Sequence, residues 1–245
     1  MRDNEAGVTL IEVVIAITLL SLLSVAMLFA MRIGLNTYSK TQAKLMDNRR
    51  VAGAQRILLA EIEGLVPVVM PCTGMAGGEA ARLAFFQGEP QSMRLVSTFS
   101  LQQGWRGEPH VLEFTVIPGA EERGVRLVVN EVFYGSPMAA GRFCVGLGQD
   151  MMTGKNMAKF PPVGAGPKSF VLADKLEYCR FSYQGPGPAP DTPPVWSSTW
   201  ARAGWPMGIR VEMAPYDPDP ARVQPIAATA PLLLHRSPEI VYEDR

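Results

Sequence analysis

Histidine is nearly absent from this chain. His110 and His235 are the only two in 245 residues, and no GxSxG or HExxH pattern occurs. Little scope remains for a histidine base, a nucleophile elbow or a zinc-peptidase helix. Cys72, Cys144 and Cys179 are the only cysteines, with no CxxC pair among them, which argues against structural zinc. They leave open one disulfide with one free thiol, in any of three pairings, if the bulk lies outside the cytoplasm, or else three buried thiols. Net charge is lacking too: 23 Lys+Arg balance 23 Asp+Glu, so no general attraction to nucleic acid is expected.

The remaining polar motifs are poor in chemistry. In "PPVGAGPKSF" (161–170), Pro167 stands between Gly166 and Lys168, where a phosphate-binding loop needs Gly and Lys adjacent, so a turn is expected. Glu121 and Glu122 read as a solvated turn between Gly119 and Gly124. Asp217 and Asp219 could face a calcium ion, but their spacing completes no ligand set. The expectation is a protein with no catalytic residue, no cofactor and no metal, which works by binding.

Charge is missing most conspicuously from Val13 to Met31, a run of 19 residues interrupted only by Thr18, Ser21 and Ser24. That is bilayer length, and it exceeds the apolar core of a cleaved secretory signal. Glu12 stands at its entrance. A carboxylate inside hydrocarbon costs about 2.5–3.5 kcal/mol at a helix centre and less near its end. A passive anchor has no use for that cost, whereas a nearby cation would offset it. From Arg32 to Val66 there is no proline, and Val51, Ala54, Leu58, Ile62 and Leu65 recur at steps of 3 and 4 on one helical face. Arg49, Arg50, Arg56, Glu61 and Glu63 are assigned to the other positions, and Gly64 and Pro67 mark the stop. One helix from Val8 to about Val66, interrupted near Gly34, would be close to ~90 Å long.

Gly7, then "VTLIEV", then the long apolar run resembles the prepilin motif of type IV pilins and type II secretion pseudopilins. The resemblance implies that a prepilin peptidase cuts after Gly7 and methylates the new amino terminus at Val8. It also implies that Glu12, now the fifth residue, is required for assembly and pairs with a neighbour's amine. Val8 stands where most members have phenylalanine, and the leader "MRDNEAG" is not basic. Arg32, Lys40 and Lys44 follow the span while Arg2 alone precedes it, so the positive-inside rule opposes the motif. The expected orientation follows the motif: a single pass through the inner membrane, with the carboxyl-terminal domain in the periplasm.

After residue 67 the pattern changes to short β-like runs between glycines and prolines. Candidate strands are 82–87, 93–100, 110–117, 125–135, 176–184 and 208–216; in the last, Ile209, Val211 and Met213 alternate with Arg210 and Glu212. Between residues 186 and 231 lie 11 of the 21 prolines, and "GPGPAPDTPPVW" reads as a loop. The stretch from "LEYCRFSYQ" through "VWSSTWARAGWPMGIRVEM", with Trp196, Trp200, Trp205, Pro206, Ile209 and Val211, is similar to the carboxyl-terminal half of J-type minor pseudopilins. The tryptophans also read as ordinary core and turn packing.

The expected fold is α+β and pilin-like, with a long amino-terminal helix packed on an antiparallel sheet. Its parts are a leader peptide (1–7), a transmembrane and assembly helix (8–31), an amphipathic helix (32–66) and a β-rich domain (67–245) with a proline-rich loop at 185–206. The resemblance implies a minor pseudopilin at the tip of a periplasmic pseudopilus. Its partners would be the I- and K-type minor pseudopilins, the major pseudopilin and the prepilin peptidase. A minor pilin of a type IV pilus is the alternative, and a membrane-anchored periplasmic enzyme or binding domain a further one.

Overall fold

The computed structural model describes residues 9–73, 80–101, 103–119, 123–189, 191–215 and 226–232, excluding the side chains of 43–52 and 226. Two compact units are present, Met1–Arg49 and Arg50–Arg245. Helix α1 spans Leu10–Glu63. It does not break at Gly34, which is helical like its neighbours; a single interior glycine costs only about 1 kcal/mol against alanine, too little to interrupt so long a ladder. In the first unit the helix is apolar and uncovered. In the second it contributes one face to a sheet domain, so the architecture is the expected α+β, pilin-like arrangement.

The strands of that domain are β1 (Val69–Cys72), β2 (Ala81–Ala84), β3 (Gln87–Gly88), β4 (Ser92–Ser100), β5 (Trp105–Pro118) and β6 (Val125–Phe133). A short helix α2 (Pro137–Gly141) follows, then β7 (Gly146–Gln149), β8 (Asn156–Lys159), β9 (Phe170–Gly185), β10 (Val195–Ser197), β11 (Gly208–Pro215) and β12 (Ile226–Pro231). The main sheet has eight strands in the order β12-β11-β9-β6-β5-β4-β3, with β10 beside β9; β1–β2 and β7–β8 form separate two-stranded sheets. Every pairing is antiparallel. The long strand β9 serves two neighbours. Its start pairs with β6 from Phe170 to Leu176, and its later part pairs with β11 from Leu176 to Gln184. At the change-over Lys175 has φ 57°, a left-handed conformation that produces the bend.

One face of the main sheet is buried along its strands, and the other is covered over β4 and β5. On one, Ala54, Leu58, Ile62 and Leu65 of the helix segment pack with Leu95, Leu112, Phe114, Phe181, Ile209 and Val211. Leu58 and Ile62 are fully buried, each stabilising by about 1.5–3 kcal/mol. On the other face Val96 and Val111 pack with Phe85, Met70, Leu83, Ala140 and Ala158. The run 82–87, expected as one strand, is divided between β2 and β3. Phe85 and Phe86 join opposite cores, as consecutive residues of extended chain do.

Two further features lock this arrangement. Arg94 is buried against the second face, its Nε donating to Glu113 Oε1 at 2.7 Å and its Nη1 and Nη2 to the Pro161 carbonyl at 3.2 Å each. Its guanidinium lies 5.4 Å from the ring centroids of both Phe143 and Phe160. The turn expected at 161–170 is thus strapped to the sheet, with Asn130 Nδ2 also donating to the Gly164 carbonyl at 2.8 Å. On the other side, a Cβ at Gly88 would sit 2.6 Å from Tyr183 Cζ. Only glycine allows the Tyr183 ring so close to β3, where its hydroxyl donates to the Glu89 carbonyl at 2.9 Å.

Of the cysteine alternatives, one disulfide and one thiol is the arrangement found: Cys72 is bonded to Cys144, and Cys179 is free and buried. Burial pushes the Cys179 thiol up to about 12, which makes it a poor nucleophile and a poor competitor for either partner. The bond joins β1 to the segment after α2 across a sequence separation of 72. In the chain-entropy view, closing such a loop stabilises by about 4 kcal/mol. The paired variant Cys72→Ser/Cys144→Ser is therefore expected to unfold with a loss of about 2–5 kcal/mol, measured by denaturant titration. Reductant should move the parent protein toward the variant and leave the variant unchanged.

Candidate functional site

The first candidate site is the amino-terminal end of α1. Thr9 precedes the helix, and its N–H and Oγ1 both donate to Glu12 Oε2 at 3.3 Å. The Glu12 N–H lies 3.4 Å from Thr9 Oγ1. This reciprocal Thr-x-x-Glu arrangement is a capping box, which satisfies donors that a helix start otherwise leaves open. Glu12 is exposed, so its carboxylate is available to an approaching cation. Gly7 and Val8, the expected cleavage residue and new amino terminus, lie outside the described residues.

Behind Glu12 the helix offers hydrocarbon-compatible surface. Residues Leu10–Gln42 form a segment long and apolar enough to cross a membrane, its most apolar 18 residues reaching a mean hydropathy of 2.7, with none of that stretch buried within the protein. The three hydroxyls of its charge-free part, Val13–Met31, are satisfied internally. Thr18, Ser21 and Ser24 each donate to a backbone carbonyl of their own helix, those of Ile15, Thr18 and Leu20, at 2.8 Å. Hydroxyls bonded in this way demand nothing from lipid or from a neighbouring helix.

Residues 2–28 match the prokaryotic N-terminal methylation motif. The chain is also 23% identical over 201 residues to type II secretion system protein J of Xanthomonas campestris pv. campestris, covering 82% of each chain. The chain resembles the J-type pseudopilins. Likeness to a J-type pseudopilin over most of the length, with the methylation motif at its start, supports a pseudopilin role and is consistent with an inner-membrane anchor.

The tryptophans of the J-like stretch are divided among three settings. Trp200 is in the core, its Nε1 donating to the Gly204 carbonyl at 2.9 Å. Trp196 in β10 lies 4.1 Å from the Arg210 guanidinium, and Trp205 packs at the core margin. Asp217 and Asp219 lie outside the described residues, as do Glu121 and Glu122. No group of three or more metal-ligating side chains occurs among the described residues.

Glu61 departs from expectation. Assigned to the solvent face, it is fully buried, and neither carboxylate oxygen has a hydrogen-bond partner. The spacing explains this: Leu58, Glu61, Ile62 and Leu65 are an i, i+3, i+4, i+7 set, so Glu61 belongs to the apolar stripe. Desolvation, and secondarily the Glu131 charge, hold its carboxyl well above the usual carboxylate range. Glu131 is provided for, accepting from Ser100 Oγ at 2.6 Å and the Leu101 N–H at 3.1 Å, with His110 Nε2 at 3.6 Å.

Because the folded value for Glu61 is raised, the native state keeps a proton that the unfolded chain releases. Stability is therefore full below the unfolded value near about 4.3 and falls as pH rises through the folded value, by about 1.4 kcal/mol per pH unit within that window. Glu61→Gln should flatten this slope and be the more stable protein at neutral pH. Denaturation midpoints of parent and variant between pH 4.5 and 8 provide the check; parallel curves would remove the assignment.

Proposed function

We propose that the chain is a minor pseudopilin of a type II secretion system, a non-catalytic subunit that enters the tip of a periplasmic pseudopilus and supports protein export. The observation that carries the reading is the conjunction of the methylation motif on residues 2–28 with likeness to a protein J over 82% of the chain. The chemistry agrees. A peptidase cut after Gly7 would give Val8 a free amine, and the Glu12 carboxylate, capped but exposed, is a fitting counter-charge for the amine of a neighbouring subunit. Removing water and placing both charges at the edge of hydrocarbon strengthens their attraction. The uncovered apolar surface from Val13 to Met31 would then pack against neighbouring helices.

The proposed partners are the I- and K-type minor pseudopilins and the major pseudopilin, with the prepilin peptidase acting earlier on the leader. Location of the sheet domain in the periplasm is supported by the Cys72–Cys144 disulfide, since such bonds persist in oxidising compartments and are rare in the cytosol. That observation weighs against the orientation favoured by the lysine and arginine distribution. A type IV minor pilin shares the motif; the length of the likeness to protein J favours the secretion reading.

Mass spectrometry of the mature protein should find a methylated Val8 at the amino terminus, and an intact Met1 would overturn the processing. Glu12→Ala is expected to insert and be cleaved normally yet fall at least tenfold in incorporation, measured by cross-linking to neighbouring subunits in membranes. Normal incorporation of a cleaved variant would remove the proposed role of the carboxylate.

A further inference from the structure

A cleft of about 560 Å³ opens in the sheet domain, with residues of β2, β8 and the loop 202–207 in its lining. Its size lies within the range of small-molecule sites. Much of the lining is apolar: Leu83, Phe86, Met157, Trp205, Met207 and Leu232 all border it. Methionine and tryptophan make favourable contacts with an aromatic guest.

The loop 202–207 is fixed through its backbone. An Asp150 carboxylate oxygen accepts the Ala203 N–H at 3.2 Å, and the Gly204 carbonyl accepts Trp200 Nε1 at 2.9 Å. The Met207 N–H donates to the Gln184 carbonyl at 2.7 Å, and the Met207 carbonyl accepts the Leu232 N–H at 2.8 Å. Gly204 has φ 122°, a backbone conformation that suits glycine. The wall carrying Trp205 is thus formed before anything binds, which lowers the ordering cost of binding.

Donors in the lining have capacity to spare. Arg82, exposed on β2, has no hydrogen bond or ion pair among the described residues. Arg202 donates through Nη1 to the Pro186 carbonyl at 2.8 Å, and its guanidinium lies 5.8 Å from the Trp200 ring centroid. The rest of its fork has no acceptor among the described residues. Trp205 Nε1 is buried with no hydrogen-bond partner. A buried donor left unpaired is costly, and a native fold that keeps one calls for a reason.

We propose that this cleft binds a small organic carboxylate with an aromatic body. A carboxylate accepts two parallel N–H bonds from an arginine fork, and the ring behind it covers the apolar lining. An inorganic anion would engage the arginines and leave that lining wet. A neutral hydrocarbon would cover the lining and leave the donors unpaired. The inference is independent of the secretion reading.

The test uses the full chain in detergent micelles, with isotope-labelled tryptophan observed by NMR and hydrocinnamate as probe. The four tryptophans give four indole N–H signals, that of Trp205 being identified by its loss in Trp205→Phe. The probe should shift the Trp205 signal saturably and leave in place that of Trp105, which is exposed and outside the lining. The neutral hydrocinnamamide and the ring-less acetate should each bind at least tenfold more weakly. Arg82→Gln should weaken hydrocinnamate at least fivefold, while its probe-free spectrum stays that of the parent. No saturable shift at Trp205, or equal movement of Trp105 as the probe enters the micelles, would overturn the proposal. An amide as good as the acid would remove the role of the arginines, and acetate as good as hydrocinnamate would leave a simple anion site; either result overturns it, as does full affinity in Arg82→Gln.

Discussion

The sheet domain depends on one contact, the last turns of α1 lying on the face formed by β4, β5, β6, β9 and β11. Without the helix, Leu95, Leu112, Phe114, Phe181 and Val211 would be an uncovered apolar surface, and the sheet could not remain single and soluble. The helix segment has the converse need. Ala54, Leu58, Ile62 and Leu65 form a stripe that is stable only when buried. Neither partner satisfies itself, so helix and sheet are stabilised together. Glu61 sits inside that contact as a buried carboxyl without a hydrogen-bond partner, and this burial is what raises its titration.

Much of this was legible because it follows from period. The charge-free run after Glu12 and the steps of 3 and 4 after Ala54 define helix, and the alternation in 208–216 defines a half-buried strand, found as β11. Strands β4 and β5 contain the runs expected for them, and β6 covers 125–133 of the expected 125–135. The strands that escaped notice carry weak signals. β12, "IAATAP", is alanine-rich and ends in proline, a composition depleted in strands; it is an edge strand, where proline is tolerated. β7 and β8 are four residues each, too short for a period to show. Glu61 was misplaced because its type was weighed above its spacing.

The candidate sites divide in the same way. The amino-terminal site is local in sequence, so Glu12 and the helix behind it could be read directly, and the Thr9 capping box is itself a Thr-x-x-Glu pattern. Arg82, Lys155 and Arg202 line one cleft of the sheet domain from segments far apart in the chain, and no spacing rule brings them together. The choice of Cys144 as the partner of Cys72 is likewise tertiary. It depends on α2 carrying the chain back to β1, where a Cβ on Gly141 would be 2.7 Å from the Pro71 carbonyl.

The divided pairing of β9 bears on how the domain comes together in time. Strands β3 to β6 form one meander of neighbours in sequence, and β9, β11 and β12 form a second. Contacts of this local kind close quickly, whereas the β6–β9 seam must wait for the intervening α2 and β7–β8 segment to be looped out. Until that seam forms, β6 and β9 each expose a sticky border to other chains. The bend at Lys175, which lets one strand belong to both meanders, thus marks the stage of biogenesis at which this chain most needs protection from its own copies.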